Sequence, residues 1–172
     1  MTPVEAVIFV GVQGAGKTTF YVERFLHSHL RISLDLLRTR HRERVFLEAC
    51  LATRQPFVVD NTNPTAADRV RYVGPARDAG FRVVGYYFET TAVEAARRNA
   101  GRKERLRVPA RAIYSTHKRL QPPDLAEGFD ALYTVTIDPA ERFVVRALGG
   151  SEAASGTGPA DSPPTHDRPR GQ

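Results

Sequence analysis

Eight contiguous residues, Gly11-Val12-Gln13-Gly14-Ala15-Gly16-Lys17-Thr18, carry the plainest chemistry in the chain. Their glycines allow a tight turn in which successive backbone N–H groups converge, a concavity suited to an anion. The closing lysine and hydroxyl add a cation for the terminal phosphates of a nucleotide and an oxygen ligand for Mg²⁺. The apolar run Ala6 to Val10 before the loop reads as a strand, and the helical spacing after it supplies a positive N-terminal end. Gly11, Gln13, Gly14, Ala15, Gly16, Lys17, Thr18 and the adjoining Thr19 are thus expected to bind a nucleotide. Lys17 would neutralise the β and γ phosphates, Thr18 would reach the metal, and ATP with Mg²⁺ are the expected cofactors.

Two further groups could complete a phosphoryl-transfer site. In Ser33-Leu34-Asp35-Leu36-Leu37-Arg38 a carboxylate and a guanidinium stand one helical turn apart. The carboxylate could take the proton of an attacking hydroxyl while the arginine grips a neighbouring phosphate. The same spacing also suits an ordinary surface ion pair. Phe57-Val58-Val59-Asp60 ends an apolar run in an acid, which makes Asp60 a candidate to hold the metal or its water. A turn and a helix cap are the simpler use of Asp60 to Asn63.

Short apolar runs alternating with longer helical stretches predict an α/β domain around a five-stranded and mainly parallel sheet, and the glycine loop after the first strand makes the expected fold a three-layer one of the P-loop NTPase type. The strands are read at Ala6 to Val10, Arg31 to Leu34, Phe57 to Asp60, Arg82 to Phe88 and Leu132 to Ile137. The helices are read at Lys17 to Leu26, Leu36 to Ala52, Pro64 to Ala79, Ala92 to Asn99 and Pro109 to Leu120. Asn63-Pro64 predicts an N-cap followed by a first-turn proline, and Val108-Pro109 repeats the proline signal. Residues 1–148 are expected to form the kinase-type domain. From Gly149 the Gly, Pro, Ser and Ala composition predicts a disordered tail over 149–172.

Composition narrows the setting. At 172 residues there is room for one substantial core, no apolar run approaches a membrane span, and the single Cys50 suits a reducing cytoplasm. Of 25 basic residues 22 are arginine, and the stretch from Arg97 to Arg119 holds nine Arg or Lys against one acid, Glu104. Such a segment favours phosphate-bearing partners.

The loop, the D-x-x-R of Asp35 and Arg38, DNTNP at Asp60 to Pro64, ARRNAGR at Ala96 to Arg102 and LAEGFDAL at Leu125 to Leu132 together resemble the kinase domain of polynucleotide 5′-kinases, including those fused to a 3′-phosphatase. The resemblance covers about residues 4 to 137. It implies ATP-dependent phosphorylation of the 5′-hydroxyl of a DNA or RNA strand. Asp35 would be the general base and Arg38 the contact to acceptor and neighbouring phosphate. Lys17 and Thr18 would be the P-loop pair, Asp60 the acid behind them, and Arg98 and Arg102 the arginines of a lid over the ATP phosphates. Any phosphatase or ligase step would come from a separate partner. Two rivals stay open: a kinase for a small-molecule hydroxyl on a sugar, nucleoside or antibiotic, and a nucleotide-binding module without chemistry. Retention of Asp35, Arg38, Arg98 and Arg102 together speaks against the second, since binding ATP alone needs no acceptor base.

Overall fold

Strand β1, Glu5–Val10, is apolar on both faces: Ala6 and Ile8 enter one core while Val7 and Phe9 enter another, all fully buried. A strand buried on both sides belongs at the centre of a parallel sheet with helices on each face. The computed structural model, which describes residues 3–149, has that arrangement. Its sheet runs β2-β3-β1-β4-β5-β6, with β2 at Leu30–Ile32, β3 at Phe57–Val59, β4 at Arg82–Phe88, β5 at Ala131–Ile137 and β6 at Phe143–Ala147. The first five in that order are parallel and β6 is antiparallel to β5. The tail expected over 149–172 lies, but for Gly149, outside the described residues.

Helices α3, Arg40–Thr53, and α4, Ala66–Asp78, cover one face through Leu47, Cys50, Tyr72, Val73 and Ala76. Helices α1, Lys17–Arg24, α5, Ala92–Ala100, and α6, Ala110–Arg119, cover the other through Phe20, Tyr21, Ala95 and Ile113. Beneath α1, Phe20 meets Phe9 and Phe88 edge to face with ring centroids 5.8 and 5.3 Å apart. Such contacts add about 0.5–1.5 kcal/mol each beyond burial, which fixes the helix that follows the glycine loop.

The observed elements differ from the expected ones in four places. A sixth strand joins the five, because Asp138 Oδ1 accepts from both Ala140 N and Arg142 N at 2.9 Å and turns the chain back into an antiparallel hairpin. The helix expected over Leu36 to Ala52 is two: a single turn, α2 at Leu34–Leu37, ends at Arg38 with φ 69°, and Thr39 caps α3 by accepting from Arg42 N. Asn63 is not an N-cap. It has φ 44° and donates Nδ2 to Phe9 O at 2.8 Å, while Thr65 and Asp68 cap α4 reciprocally. The second strand is Leu30–Ile32 rather than Arg31 to Leu34, because Ser33 already turns into α2.

Candidate active site

The chain leaves β1 at the sheet centre, crosses over β3 to reach β2 at the edge, and returns. Ligands of open parallel sheets bind at such a reversal, beyond the carboxyl ends of the strands. The loop sits there. Gly14 and Gly16 have φ of 81° and 95°, and a Cβ on Gly14 would stand 2.4 Å from Ala95 O, so both conformation and space require glycine. Gly11 is held by a bond from its N–H to Thr62 O at 2.9 Å, and a Cβ there would meet Phe88 at 2.9 Å.

A cleft of about 840 Å³ opens over this loop. Gln13, Gly14, Gly16, Lys17, Thr18 and Thr19 line it from the loop and the start of α1, Asp35, Arg38 and Asp60 from the segments after β2 and β3, and Arg98 and Arg102 from α5 and the turn after it. Of the residues expected in the site, only Gly11 and Ala15 do not line it. Both are buried, shaping the loop rather than facing a ligand.

Lys17 is buried and folds back, donating Nζ to Gly11 O at 2.9 Å and Val12 O at 2.7 Å. Burial pushes its ammonium down to a pKa of about 8; the carboxylates of Asp60 and Asp35 oppose that shift and the Arg102 guanidinium adds to it. Groups expected from four distant segments thus share one electrostatic site.

Thr18 Oγ1 donates to Asp60 Oδ2 at 3.0 Å. Arg31, which the sequence reading left out, grips the same carboxylate with Nε at 2.8 Å and Nη2 at 2.7 Å and also donates to Thr18 Oγ1 at 3.2 Å. The bonds to Asp60 all fall on Oδ2, so among the described residues its Oδ1 is left without a partner, and Thr18 Oγ1, which accepts only from Arg31, keeps a lone pair. A hydroxyl and a carboxylate oxygen side by side are hard donors that fit Mg²⁺.

Asp35 and Arg38 do not share a helix face as their spacing suggested. Asp35 lies in α2, and Arg38 follows it at the left-handed knuckle before α3, closed by Arg38 N donating to Leu34 O at 2.8 Å. Both still reach the cleft, and no ion pair joins them among the described residues. Across the cleft Arg98 donates to Thr90 Oγ1 at 3.2 Å. The segment beyond it is tied by Asn99, which donates Nδ2 to Val108 O at 2.7 Å and accepts from Val108 N at 3.0 Å. Within that closure Arg102 donates to Leu106 O and accepts from Arg107 Nε. With Arg38, Arg98 and Arg102, which the sequence picks out singly, Arg40, Arg105, Arg107 and Arg119 make seven arginines lining the cleft; Arg105, Arg107 and Arg119 were legible only as part of a basic segment, and Arg40 not at all.

The family described as AAA domain matches residues 7–123, the span from β1 through α6 that builds this cleft. The chain belongs to the AAA domain family. The chain is also 27% identical over 130 residues to a protein of Schizosaccharomyces pombe named bifunctional polynucleotide phosphatase/kinase, covering 73% of this chain and 32% of that protein. The chain spans about a third of the length of the curated relatives it matches. Among solved structures, a fungal RNA kinase superposes with a TM-score of 0.59 at 16% identity, over 78% of this chain and 38% of that one. A gluconokinase from Sinorhizobium meliloti superposes with a TM-score of 0.55 at 18% identity, over 77% and 82% of the two chains. These likenesses establish the P-loop kinase fold of this AAA domain, and a fold that implies binding of an ATP-type nucleotide.

Proposed function

We propose that the protein transfers the γ-phosphate of ATP to the 5′-hydroxyl of a DNA or RNA strand. The observation that carries the reading is the cleft itself: the glycine loop and seven arginines share one space with Asp35, a carboxylate with no hydrogen bond or ion pair among the described residues, whereas the other two acids there, Asp60 and Asp68, are held by Arg31 and Thr65. The donor phosphates can use the loop N–H groups, Lys17, Arg98 and Arg102. Arg38, Arg40 and Arg119 also line the cleft and remain as cations for an acceptor that brings phosphates of its own. Relatives named polynucleotide phosphatase/kinase and a fungal RNA kinase of the same fold support that choice.

In this reading the acceptor oxygen attacks the γ-phosphorus while Asp35 takes the hydroxyl proton. A bond forms from that oxygen to phosphorus, the bond from phosphorus to the β–γ bridging oxygen breaks, and ADP leaves. Lys17, Arg98 and Arg102 neutralise charge spread over the transferring group, and closure of the lid excludes water. Thr18 would hold Mg²⁺ with Asp60 behind it, and the bound ion would supply positive charge against the donor phosphates.

Labelled ATP incubated with 5′-hydroxyl oligonucleotides, nucleosides and sugars tests the proposal directly. Label should enter the oligonucleotides and be lost when Asp35 is replaced by asparagine, a change that keeps size but cannot take the proton. The expected fall is about 10²–10⁴ in rate with nucleotide affinity retained. Label entering only a sugar or nucleoside would assign a small-molecule kinase instead.

A further inference from the structure

Helix α2 carries the proposed base on very little structure of its own. It is one turn of four residues, Leu34–Leu37, none of them buried. A single turn fixes several dihedrals for few bonds and is not stable alone, so its conformation must be imposed from outside. Its own N-cap residue does not impose it: Ser33 makes no side-chain capping bond, and its buried Oγ has no partner among the described residues.

The missing cap comes from another loop. Leu34 N, the amide next to Asp35, donates to Asn61 Oδ1 at 2.9 Å across 27 residues of sequence. Asn61 is in turn held by Nδ2, which donates to Glu43 Oε1 at 2.7 Å. Glu43, on α3, is a buried carboxylate that also accepts from Tyr72 OH at 2.8 Å and, on its other oxygen, from Arg40 Nη1 at 2.8 Å. The acceptor-only carboxylate leaves Asn61 one orientation, with its amide NH₂ toward Glu43 and its carbonyl toward Leu34 N–H. Reversing it would bring two oxygens together and point a donor at a donor.

From this chain of bonds we infer that Glu43 and Asn61 are positioning residues for Asp35: they cap α2 from a buried anchor and so set where the carboxylate stands in the cleft. The same anchor holds Arg40, which also lines the cleft. The inference rests on the reading of Asp35 as the base. Misplacement of a reacting group by about 1 Å can lower a rate on the order of 10²-fold, so a cap can matter for transfer while leaving donor binding alone.

The test is a double-mutant cycle of Asn61→Ala and Asp35→Asn in the full chain, read by single-turnover transfer to a 5′-hydroxyl oligonucleotide at saturating ATP, beside direct ATP binding. Asn61→Ala should lower transfer about 10- to 100-fold with ATP affinity within about twofold of the parent. In the Asp35→Asn background the same change should cost less than about threefold, because the group it positions is gone. Amide hydrogen exchange should quicken over Leu34–Arg38 and hold elsewhere. A loss of equal size in both backgrounds, or no loss at all, overturns the positioning role. Parent-like transfer by Asp35→Asn alone instead removes the base assignment, a result read from a different variant. Should Asn61→Ala fail to fold, Asn61→Ser serves: its side chain is too short to span from Leu34 N to Glu43, so the same background-dependent loss of transfer and the same quickened exchange over Leu34–Arg38 are expected, and their absence overturns the role.

Discussion

Lys17 gives the sharpest test of the nucleotide site, because its burial has a consequence that pH alone exposes. The ammonium is brought down from 10.5 to about 8 in the free protein, chiefly by desolvation. A bound triphosphate would stabilise the charged form, so binding above that pKa must take up a proton. If only the ammonium form holds the phosphates well, apparent affinity follows the protonated fraction, about 0.9 at pH 7, 0.5 at pH 8 and 0.1 at pH 9. Affinity should therefore weaken about tenfold between pH 7 and pH 9, with roughly half a proton taken up per nucleotide at pH 8. Other groups near the site do not confuse the reading: Tyr72 is pushed up to about 12 and arginines stay charged. The stability of the free chain should move the opposite way. Between about pH 8 and pH 10.5 the unfolded chain binds more protons than the folded one, so this residue's contribution to stability rises with pH across that window. Calorimetric titration of nucleotide in two buffers of different ionisation enthalpy measures both affinity and proton uptake, with Lys17→Met as the control that should lose the slope. Flat affinity from pH 7 to pH 9, or an undiminished slope in Lys17→Met, would refute the reasoning.

Three other outcomes are expected. Arg69 is fully buried, donates to both oxygens of Glu127 at 2.7 Å and also to Asn63 O and Gln121 O at 3.0 Å. Glu127→Gln, which strips the countercharge from a buried guanidinium, should lower unfolding free energy by about 3–5 kcal/mol in urea, and a loss below 1 kcal/mol would mean water reaches the pair. Arg102→Ala should reduce turnover with little change in melting temperature, since its guanidinium makes one long bond within the lid; a drop in melting temperature with normal kinetics would make it structural. Acceptor affinity should fall steeply with added salt, because arginines that neutralise strand phosphates release counterions, whereas a flat titration would favour a small neutral acceptor.

The parts of this fold legible in the sequence are those whose physics is local. The glycine loop was readable because the groups it needs are contiguous, and the parallel sheet because strands buried on both faces are apolar throughout. The break between α2 and α3 was not readable: nothing in Leu-Leu-Arg-Thr announces a left-handed arginine, and the apolar spacing on either side continues in phase across it. Strand β6 lay behind an Asp138 turn whose bonds explain it only once Arg142 is seen to close it. Asn61 and Glu43 stand 18 residues apart, and neither residue type reveals that one caps a third segment through the other.

Arginine shows the same limit from the other side. In a chain with 22 of them, residue type stops discriminating. Arg69 is a buried strut on Glu127, Arg31 grips the acid behind the loop, and Arg102 lies after α5 with a charge that reaches Lys17, yet all three read alike as basic residues. What separates them is the acid each one finds. Arg69 and Arg31 have their charges matched by a carboxylate within 2.7 Å, and so can serve the fold and the site without a ligand. Arg38, Arg98 and Arg102 have no such partner among the described residues and all face the cleft. Unmatched charge held together in one concavity is electrostatically unfavourable until an anion enters it. That is the physical reason to expect phosphates there, and it is stronger than the count of basic residues from which the expectation began.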